Sequence, residues 1–147
     1  MKTILLTKGK ISLVDDEDYD WLNQWKWQFG GHRYAVRTTN HNKKIYMHRL
    51  IMYAPQGIEV DHINGNELDN RKINLRLATR QQNQFNQKPR SLSGYKGVYL
   101  RKSDQKWVVY VKRKFIGSYK EKIEAAKHYN IVASQLYGEF ARLNIII

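Results

Sequence analysis

The sequence predicts an α+β protein made of two small domains. Within about residues 47–88, short alternating segments and a capped helical segment follow one another in the order strand, loop, strand, helix. Further along the chain, three alternating segments precede one amphipathic helix, which is the order of a three-stranded antiparallel sheet packed on a helix. A polar stretch with Pro, Ser and Gly at 87–94 separates the two patterns. We therefore place the domains at 1–89 and 90–147.

The elements of the first domain follow from local patterns. A helix at 15–24 would begin at Asp15 or Asp16, with further acidic side chains in its favourable first turn. Thr79 and Gln82 have the spacing of a capping box, so the last helix begins at Arg80 and ends before Pro89. The remaining predictions are strands at 10–14, 33–38, 43–47, 58–62 and 74–77, and a short helix at 47–53.

In the second domain the three strands are expected at 97–101, 106–112 and 115–119, and the helix at 121–137. Strand alternation predicts one apolar face that receives the helix and one face that carries basic and aromatic groups. The apolar face would hold Val98, Leu100, Trp107, Val109 and Val111, and the opposite face Tyr99, Arg101, Val108, Tyr110 and Lys112.

Composition restricts the function classes. The formal net charge of +13 indicates a polyanionic partner, although a basic surface that only maintains solubility is the alternative. The absence of cysteine excludes disulfides, zinc ribbons and cysteine nucleophiles. No segment approaches the roughly 18 apolar residues of a membrane span, so we expect no membrane partner and a cytoplasmic, intracellular location.

One constellation carries chemistry that suits phosphodiester hydrolysis. Asp61 and His62 are adjacent. Asn74 lies thirteen positions after Asp61, and Asn83 lies nine positions after Asn74. An imidazole with a pKa near neutrality can accept a proton from water. A carboxylate and an amide oxygen suit Mg²⁺ or Mn²⁺ better than zinc. The pattern predicts a site with one divalent ion and a histidine base, whereas an isolated Asp-His pair would more often lie in a surface turn.

Residues 60–83 resemble the His-Asn-His (HNH) nuclease motif in its ββα-metal form, in the homing-endonuclease branch where Asn replaces the last His. The resemblance implies that Asp61 and Asn83 are metal ligands and that His62 is the general base. It also implies that Asn74 holds the loop that positions the base by bonding its backbone.

Three further residues near this motif are expected to contact DNA. His48 lies in a segment that resembles the helix preceding the motif in these endonucleases. It either supports the residues that form the site, binds a phosphate, or is simply a packed histidine. Arg49 and Arg76 are candidates for phosphate contacts, with a solvated surface charge as the alternative.

Residues 94–144 resemble an AP2 domain, through segments such as Gly94-Tyr95-Lys96-Gly97-Val98-Tyr99 and Glu124-Ala125-Ala126. Such domains bind DNA with the three-stranded sheet. By position, the resemblance implies that the DNA-facing residues are Lys96, Tyr99, Arg101, Tyr110, Lys112, Arg113 and Phe115. Several of these positions differ from the plant transcription-factor members, so no target sequence follows.

The motif and the net charge predict a DNA endonuclease that acts on double-stranded DNA held by its C-terminal domain. The resemblances imply that it is of the homing type and is encoded by a phage or mobile element. A monomer would have one active site and would nick one strand, whereas a double-strand break would need a homodimer or two successive nicks. A non-catalytic DNA-binding regulator that retains a nuclease fold is one alternative. A protein that binds single-stranded RNA through its basic and aromatic sheet is another.

Overall fold

The computed structural model describes residues 1–146 and divides the chain into two compact units. The first unit is Met1–Asn83, and the second begins at Gln84. The division therefore falls before the polar stretch at 87–94 in which the domain boundary is predicted.

The described residues of the first unit form three small antiparallel sheets, two short α-helices and the start of a third α-helix. Two sheets are two-stranded, β1 with β2 and β6 with β7, and the third has the order β3-β4-β5. In chain order the elements are β1 (Lys2–Leu5), β2 (Ile11–Val14), α1 (Asp16–Leu22), β3 (Gln28–Phe29), β4 (Ala35–Thr38), β5 (Lys44–Tyr46), α2 (Met47–Ile51), β6 (Glu59–His62), β7 (Leu75–Ala78) and α3 (Arg80–Phe85).

The order strand, loop, strand, helix is confirmed in β6, β7 and α3, and the α+β class is confirmed with it. The sequence did not predict strands β1 and β3, and the reason is physical. Strand β1 has four residues of which only Ile4 is buried, and β3 has two residues, so neither shows an alternating pattern. Both strands are stabilised by backbone pairing with a neighbouring strand, which their own sequences do not reveal.

The core of the first unit lies beneath these short elements. Val14, Leu22 and Met47 are fully buried, and the indole Nε1 of Trp27 donates a hydrogen bond of 2.9 Å to the carbonyl of Leu22. The pairing of a buried polar N–H avoids the cost of leaving it unsatisfied. This core supports β6 through Val60, which is buried in the same apolar cluster.

The second unit is the predicted three-stranded antiparallel sheet with one helix. Its elements are β8 (Val98–Arg101), β9 (Lys106–Val111), β10 (Lys114–Tyr119) and α4 (Lys122–Tyr137), with the strand order β10-β9-β8. The helix buries its small residues and one tyrosine against the valines of the sheet, in a core of Val98, Val109, Val111, Ala125, Ala126, Tyr129 and Ala133.

Two side chains of the sheet differ from the prediction. Leu100 is predicted to lie on the apolar face, but its side chain is 44% exposed. Val108 is predicted to lie on the basic and aromatic face, but it is only 5% exposed. Leu100 lies on the edge strand β8, which has a neighbour on one side only. Val108 lies on the central strand β9 between Tyr99 and Ser118, so cross-strand neighbours cover it on both sides.

Across residues 1–146, none of the helices has both the length and the apolar character needed to cross a membrane.

Gly97 lies close to helix α4, so a methyl group added at Gly97 should destabilise the second unit. Gly97 has a φ of +72°, and a Cβ there would lie 2.3 Å from ring atoms of Tyr129. Gly94 has a φ of +79° with no atom within 4 Å of the same position. Both Gly→Ala changes strain the backbone, but only Gly97→Ala also overpacks the core.

We expect Gly97→Ala to destabilise the second unit by about 1–3 kcal/mol more than Gly94→Ala. Amide hydrogen exchange at Val109 and Val111 measures this difference, because both residues lie in the core of the unit. Equal losses of protection in the two variants would contradict the close packing of Gly97 on Tyr129.

Candidate functional site

The register of β6 and β7 determines which side chains share a face. Asp61 pairs with Arg76 and His62 pairs with Leu75. Because side chains alternate along a strand, Glu59 and Asp61 project to the same side as Arg76, whereas His62 projects to the other side. The adjacent Asp61 and His62 therefore lie on opposite faces of this two-stranded ribbon.

Helix α3 begins with the predicted capping box. The Thr79 N–H donates to the side-chain oxygen of Gln82 at 2.8 Å, and the Gln82 N–H donates to the Thr79 hydroxyl at 3.2 Å. This fixed start places Asn83 on the first turn, where its Nδ2 donates a bond of 2.6 Å to the Glu59 carboxylate. Asn83 thus lies against the ribbon face that carries Glu59 and Asp61.

Asp61 is buried and bonded to an arginine on the neighbouring strand. Its Oδ2 accepts bonds from Nε and from a terminal nitrogen of Arg76, at 2.8 and 2.6 Å. A buried carboxylate needs such a partner because its desolvation in a low-dielectric interior is costly. The contact shows that a cation already lies against this carboxylate.

The donor chemistry of this face fits a hard divalent cation. Asp61 offers a carboxylate, and the Asn83 amide donates its N–H to Glu59, an orientation that directs its carbonyl oxygen away from that carboxylate. Within residues 1–146, no three His, Asp or Glu side chains cluster closely enough to form a metal site alone. If Asp61 and Asn83 hold an ion on this face, as predicted, they offer it one carboxylate and one amide oxygen.

His62 lies in a mostly apolar and aromatic environment. Its ring stacks on Tyr34 at a centroid distance of 5.8 Å and meets the edge of His48 at 5.1 Å. Its Nε2 is 3.1 Å from Oδ1 of Asn70. Burial lowers the pKa of His62, while the bond to Asn70 acts in the opposite direction. The uncharged ring is the form that can accept a proton.

The loop between β6 and β7 is held by side-chain amides. The Asn74 side chain accepts a bond from the Asn64 N–H at 3.0 Å and donates one to the Asp69 carbonyl at 2.8 Å. The Asn64 side chain donates in turn to the Asp69 carboxylate, which also pairs with Arg71. These bonds fix the loop that leaves β6 immediately after His62.

The three residues expected to contact phosphates near the motif have other partners in the structure. Arg49 donates to the carbonyls of Ala54, Pro55 and Ile58, so it closes the turn after α2. His48 is buried against aromatic rings, and burial lowers its pKa to about 3. Arg76 is paired with Asp61. A DNA contact by any of the three stays a prediction.

Sequence reasoning missed Glu59, Asn70 and Tyr34. Glu59 could have been found, since it stands two residues before Asp61 in a predicted strand and must share its face. Asn70 and Tyr34 give no such signal. Asn70 lies in a polar loop and Tyr34 in a distant segment, and tertiary packing alone brings them to His62.

The predicted DNA face of the second unit carries exposed aromatic rings. Tyr110 lies edge-on to Tyr99 at 6.2 Å and to Phe115 at 5.8 Å, and all three are exposed. Lys112 and Arg113 form the turn between β9 and β10, both with positive φ, and so lie outside the strands.

Two predicted DNA-facing cations of this unit bond to other groups. Arg101 pairs with Asp104, and both side chains are partly exposed. The Lys96 ammonium donates to the carbonyls of Phe85 and Gln87, at the start of the unit. The prediction that either binds DNA is not tested by these contacts.

Comparison with known proteins adds independent information. The family described as HNH endonuclease matches residues 46–85. An uncharacterized HNH endonuclease of Acanthamoeba polyphaga mimivirus is 34% identical over 148 residues, covering 95% of this chain and 77% of that protein. Protein 3.8 of Escherichia phage T7 is 44% identical over 55 residues, covering 36% of this chain and 46% of that protein. No solved structure matches the chain.

Loss of Arg76 is expected to destabilise the first unit. Arg76 and Asp61 are 13% and 4% exposed, whereas the equally short Arg101–Asp104 pair is 42% and 35% exposed. Arg76→Ala should cost about 3–5 kcal/mol, because it removes one partner of a buried ion pair. Arg101→Ala, the matched control, should cost less than about 1 kcal/mol.

Urea unfolding followed by amide NMR signals from each unit measures both losses separately. A cost for Arg76→Ala as small as that for Arg101→Ala would show that the buried pair does not stabilise the ribbon.

Proposed function

The chain belongs to the HNH endonuclease family, and from that premise we propose that it is a divalent-metal-dependent DNA endonuclease of the homing type. HNH nucleases generally use a divalent ion, and DNA is the substrate that the family implies. The observation that carries the proposal is the ribbon face of Asp61 with Asn83 held against it, next in the chain to a buried His62. The site would hydrolyse phosphodiester bonds.

The two oxygen donors and the histidine have distinct tasks in this reaction. Asp61 and Asn83 would hold one Mg²⁺ or Mn²⁺, since both donors are hard oxygens. The ion, when bound, supplies positive charge to the scissile phosphate and to the leaving 3′ oxygen. His62 takes a proton from the attacking water, and its buried, uncharged ring is prepared for that transfer. Asn74 holds the loop that positions His62.

The opposite orientations of Asp61 and His62 constrain how DNA can bind. A scissile phosphate that reaches both groups must lie across strand β6. Arg76, which is paired with Asp61 on that face, would be the positive charge placed to contact such a phosphate.

The second unit would bind DNA through its exposed sheet face. Tyr99, Tyr110 and Phe115 offer aromatic surface, and Lys112 and Arg113 present two positive charges at the turn between β9 and β10. Such groups can contact base edges and phosphates in a major groove. Binding of this kind is supported by the net charge of +13 and would determine where cleavage occurs.

A mobile or viral origin is part of the proposal. The similar proteins described above come from a giant virus and a phage, and an intracellular nuclease encoded by a mobile element accords with both. One set of Asp61, His62 and Asn83 per chain predicts a nick in one strand for each catalytic event.

Removal of the histidine base tests the catalytic assignment. We expect His62→Ala to reduce Mg²⁺-dependent plasmid relaxation by at least about 10²-fold, because a positioned base contributes about that much. DNA affinity should change less than about twofold, since the ring is not expected to dominate binding.

His41→Ala provides the matched control, because His41 is an exposed histidine outside the site. Relaxation by the His62 variant at the wild-type rate would defeat the assignment. A wild-type protein that binds DNA without cutting it under these conditions would favour the non-catalytic regulator.

The DNA-binding role of the sheet is tested by salt dependence. Replacing both Lys112 and Arg113 with Ala should reduce the slope of log affinity against log salt by about 1.8, because each lost phosphate contact on duplex DNA contributes about 0.9. Lys127→Ala, which removes an exposed charge from helix α4, should leave the slope unchanged. An unaltered slope in the double variant would exclude phosphate contacts at this turn.

Comparing affinities for duplex DNA and single-stranded RNA tests the remaining alternative. We expect duplex DNA to bind more tightly, and a preference for the RNA would favour an RNA-binding protein.

A further inference from the structure

A buried hydrogen-bonded chain connects strand β2 to the histidine base. The Nδ2 group of Asn70 donates to the Ser12 hydroxyl at 2.7 Å, and Oδ1 of the same amide is 3.1 Å from Nε2 of His62. Ser12 and Asn70 are both 0% exposed. A fully buried amide and hydroxyl are costly unless paired, so their presence beside the base requires an explanation.

Backbone bonds fix the position of Asn70 independently of its side chain. The Leu13 N–H donates to the Leu68 carbonyl at 2.8 Å, and the Asn70 N–H donates to the Leu13 carbonyl at 2.9 Å. Strand β2 therefore holds the end of the loop on both sides of Asp69. The backbone of Asn70 is therefore held in place beside strand β2.

The orientation of the Asn70 amide follows from its neighbours. Ser12 Oγ lies 3.1 Å from the Leu68 carbonyl oxygen and 3.3 Å from the Met47 sulfur, and both of these atoms only accept hydrogen bonds. The Asn70 Nδ2 is also 3.6 Å from the same sulfur. With Nδ2 on this side, the amide donates to Ser12 while the hydroxyl donates onward. A flipped amide would place Oδ1 against the sulfur, an acceptor facing an acceptor.

The orientation of the amide determines the acceptor that faces the histidine. With Nδ2 turned to Ser12, Oδ1 faces Nε2 of His62, and a carbonyl oxygen can only accept. The proton in this contact must therefore belong to the imidazole. In a neutral ring one nitrogen is the donor and the other the acceptor, so protonation of Nε2 leaves the lone pair on Nδ1.

We propose that Asn70, oriented by Ser12, holds the proton of neutral His62 on Nε2 and so makes Nδ1 the nitrogen that receives the proton of the attacking water. The inference rests on the proposed function, in which His62 is the base. Asn70 and Ser12 are positioning residues, since they act through His62. In the proton transfer, the water O–H bond breaks as an N–H bond forms at Nδ1. The hydroxide then forms a bond to phosphorus as the P–O3′ bond breaks, and the departing 3′ oxygen takes a proton from solvent. The ring becomes an imidazolium whose Nε2–H still donates to Asn70.

Packing holds the ring in this orientation. Tyr34 lies against one face of the imidazole, with an interplanar angle of 27°, and His48 meets it at 73°. A ring confined in this way cannot easily rotate to exchange the positions of its two nitrogens. The packing around His62 therefore determines, before DNA binds, which ring nitrogen can accept the proton.

Long-range ¹H–¹⁵N NMR on the metal-free 147-residue chain tests the tautomer directly. At about pH 8 the imidazole is neutral, so the two ring nitrogens report which one carries the proton. We expect His62 to show a protonated Nε2, with a proton signal protected from exchange with water. A ring protonated on Nδ1 would overturn the proposal.

Variants of the two positioning residues test the catalytic consequence. In Ser12→Ala the amide loses the partner that orients it, so we expect a larger fraction of Nδ1-protonated ring. The kcat for DNA cleavage should fall about tenfold, part of the roughly 10²- to 10⁴-fold that a positioned base contributes. KM should change less than about twofold, because DNA contacts are unaffected. Ser12→Thr retains the hydroxyl and should recover both the tautomer and most of kcat.

Asn70→Leu, which replaces the amide with an apolar group of similar shape, should lose the protected Nε2–H signal and reduce kcat. If this variant does not fold, the wild-type spectrum and the Ser12 pair still decide the proposal. An altered tautomer in Ser12→Ala with unchanged kcat would overturn the role of Nδ1. A wild-type protein without any cleavage would instead overturn the proposed function and the catalytic role of Nδ1 with it, while the spectrum would still identify the protonated nitrogen.

Discussion

The antiparallel register between Glu59–His62 and Leu75–Ala78 is the constraint on which the candidate site depends. It sets Arg76 opposite Asp61 and gives the buried carboxylate its cation. It also turns His62 to the other face, toward Tyr34 and His48. A slip of one residue would reverse these faces, because side chains alternate along a strand. The buried Val60 and Leu75 oppose such a slip, since it would bring both out of the core.

The loop that joins the two strands is held in place by hydrogen bonds of its asparagine side chains. Asn64, Asn70 and Asn74 each bond through their side-chain amides, to the loop itself or to β2 and β6. Buried polar networks stabilise a unique arrangement only when their members are satisfied. Here the same bonds that hold the loop also orient the base. Burying these amides costs desolvation free energy. The hydrogen bonds that offset this cost are also the ones that orient His62.

The sequence predicted the frame of the site but not its inner contacts. Strand alternation and the Thr79–Gln82 spacing are local signals, and they identified β6, β7 and α3 correctly. The contact between Ser12 and Asn70 joins residues 58 positions apart, and no local pattern encodes it. The same limit applies in the second unit, where alternation assigned the faces but could not anticipate that the edge position of Leu100 leaves it exposed.

Paramagnetic NMR with Mn²⁺ tests whether Asp61 and Asn83 hold one divalent ion. We expect a single equivalent of Mn²⁺ to broaden the signals of Asp61, His62 and Asn83 first, and we expect Mg²⁺ to reverse the broadening by competition. The same titration of Asp61→Ala should leave these signals sharp. Broadening centred elsewhere in the wild-type protein, or broadening that Mg²⁺ does not reverse, would show that Asp61 and Asn83 are not the ligands of a hard divalent ion.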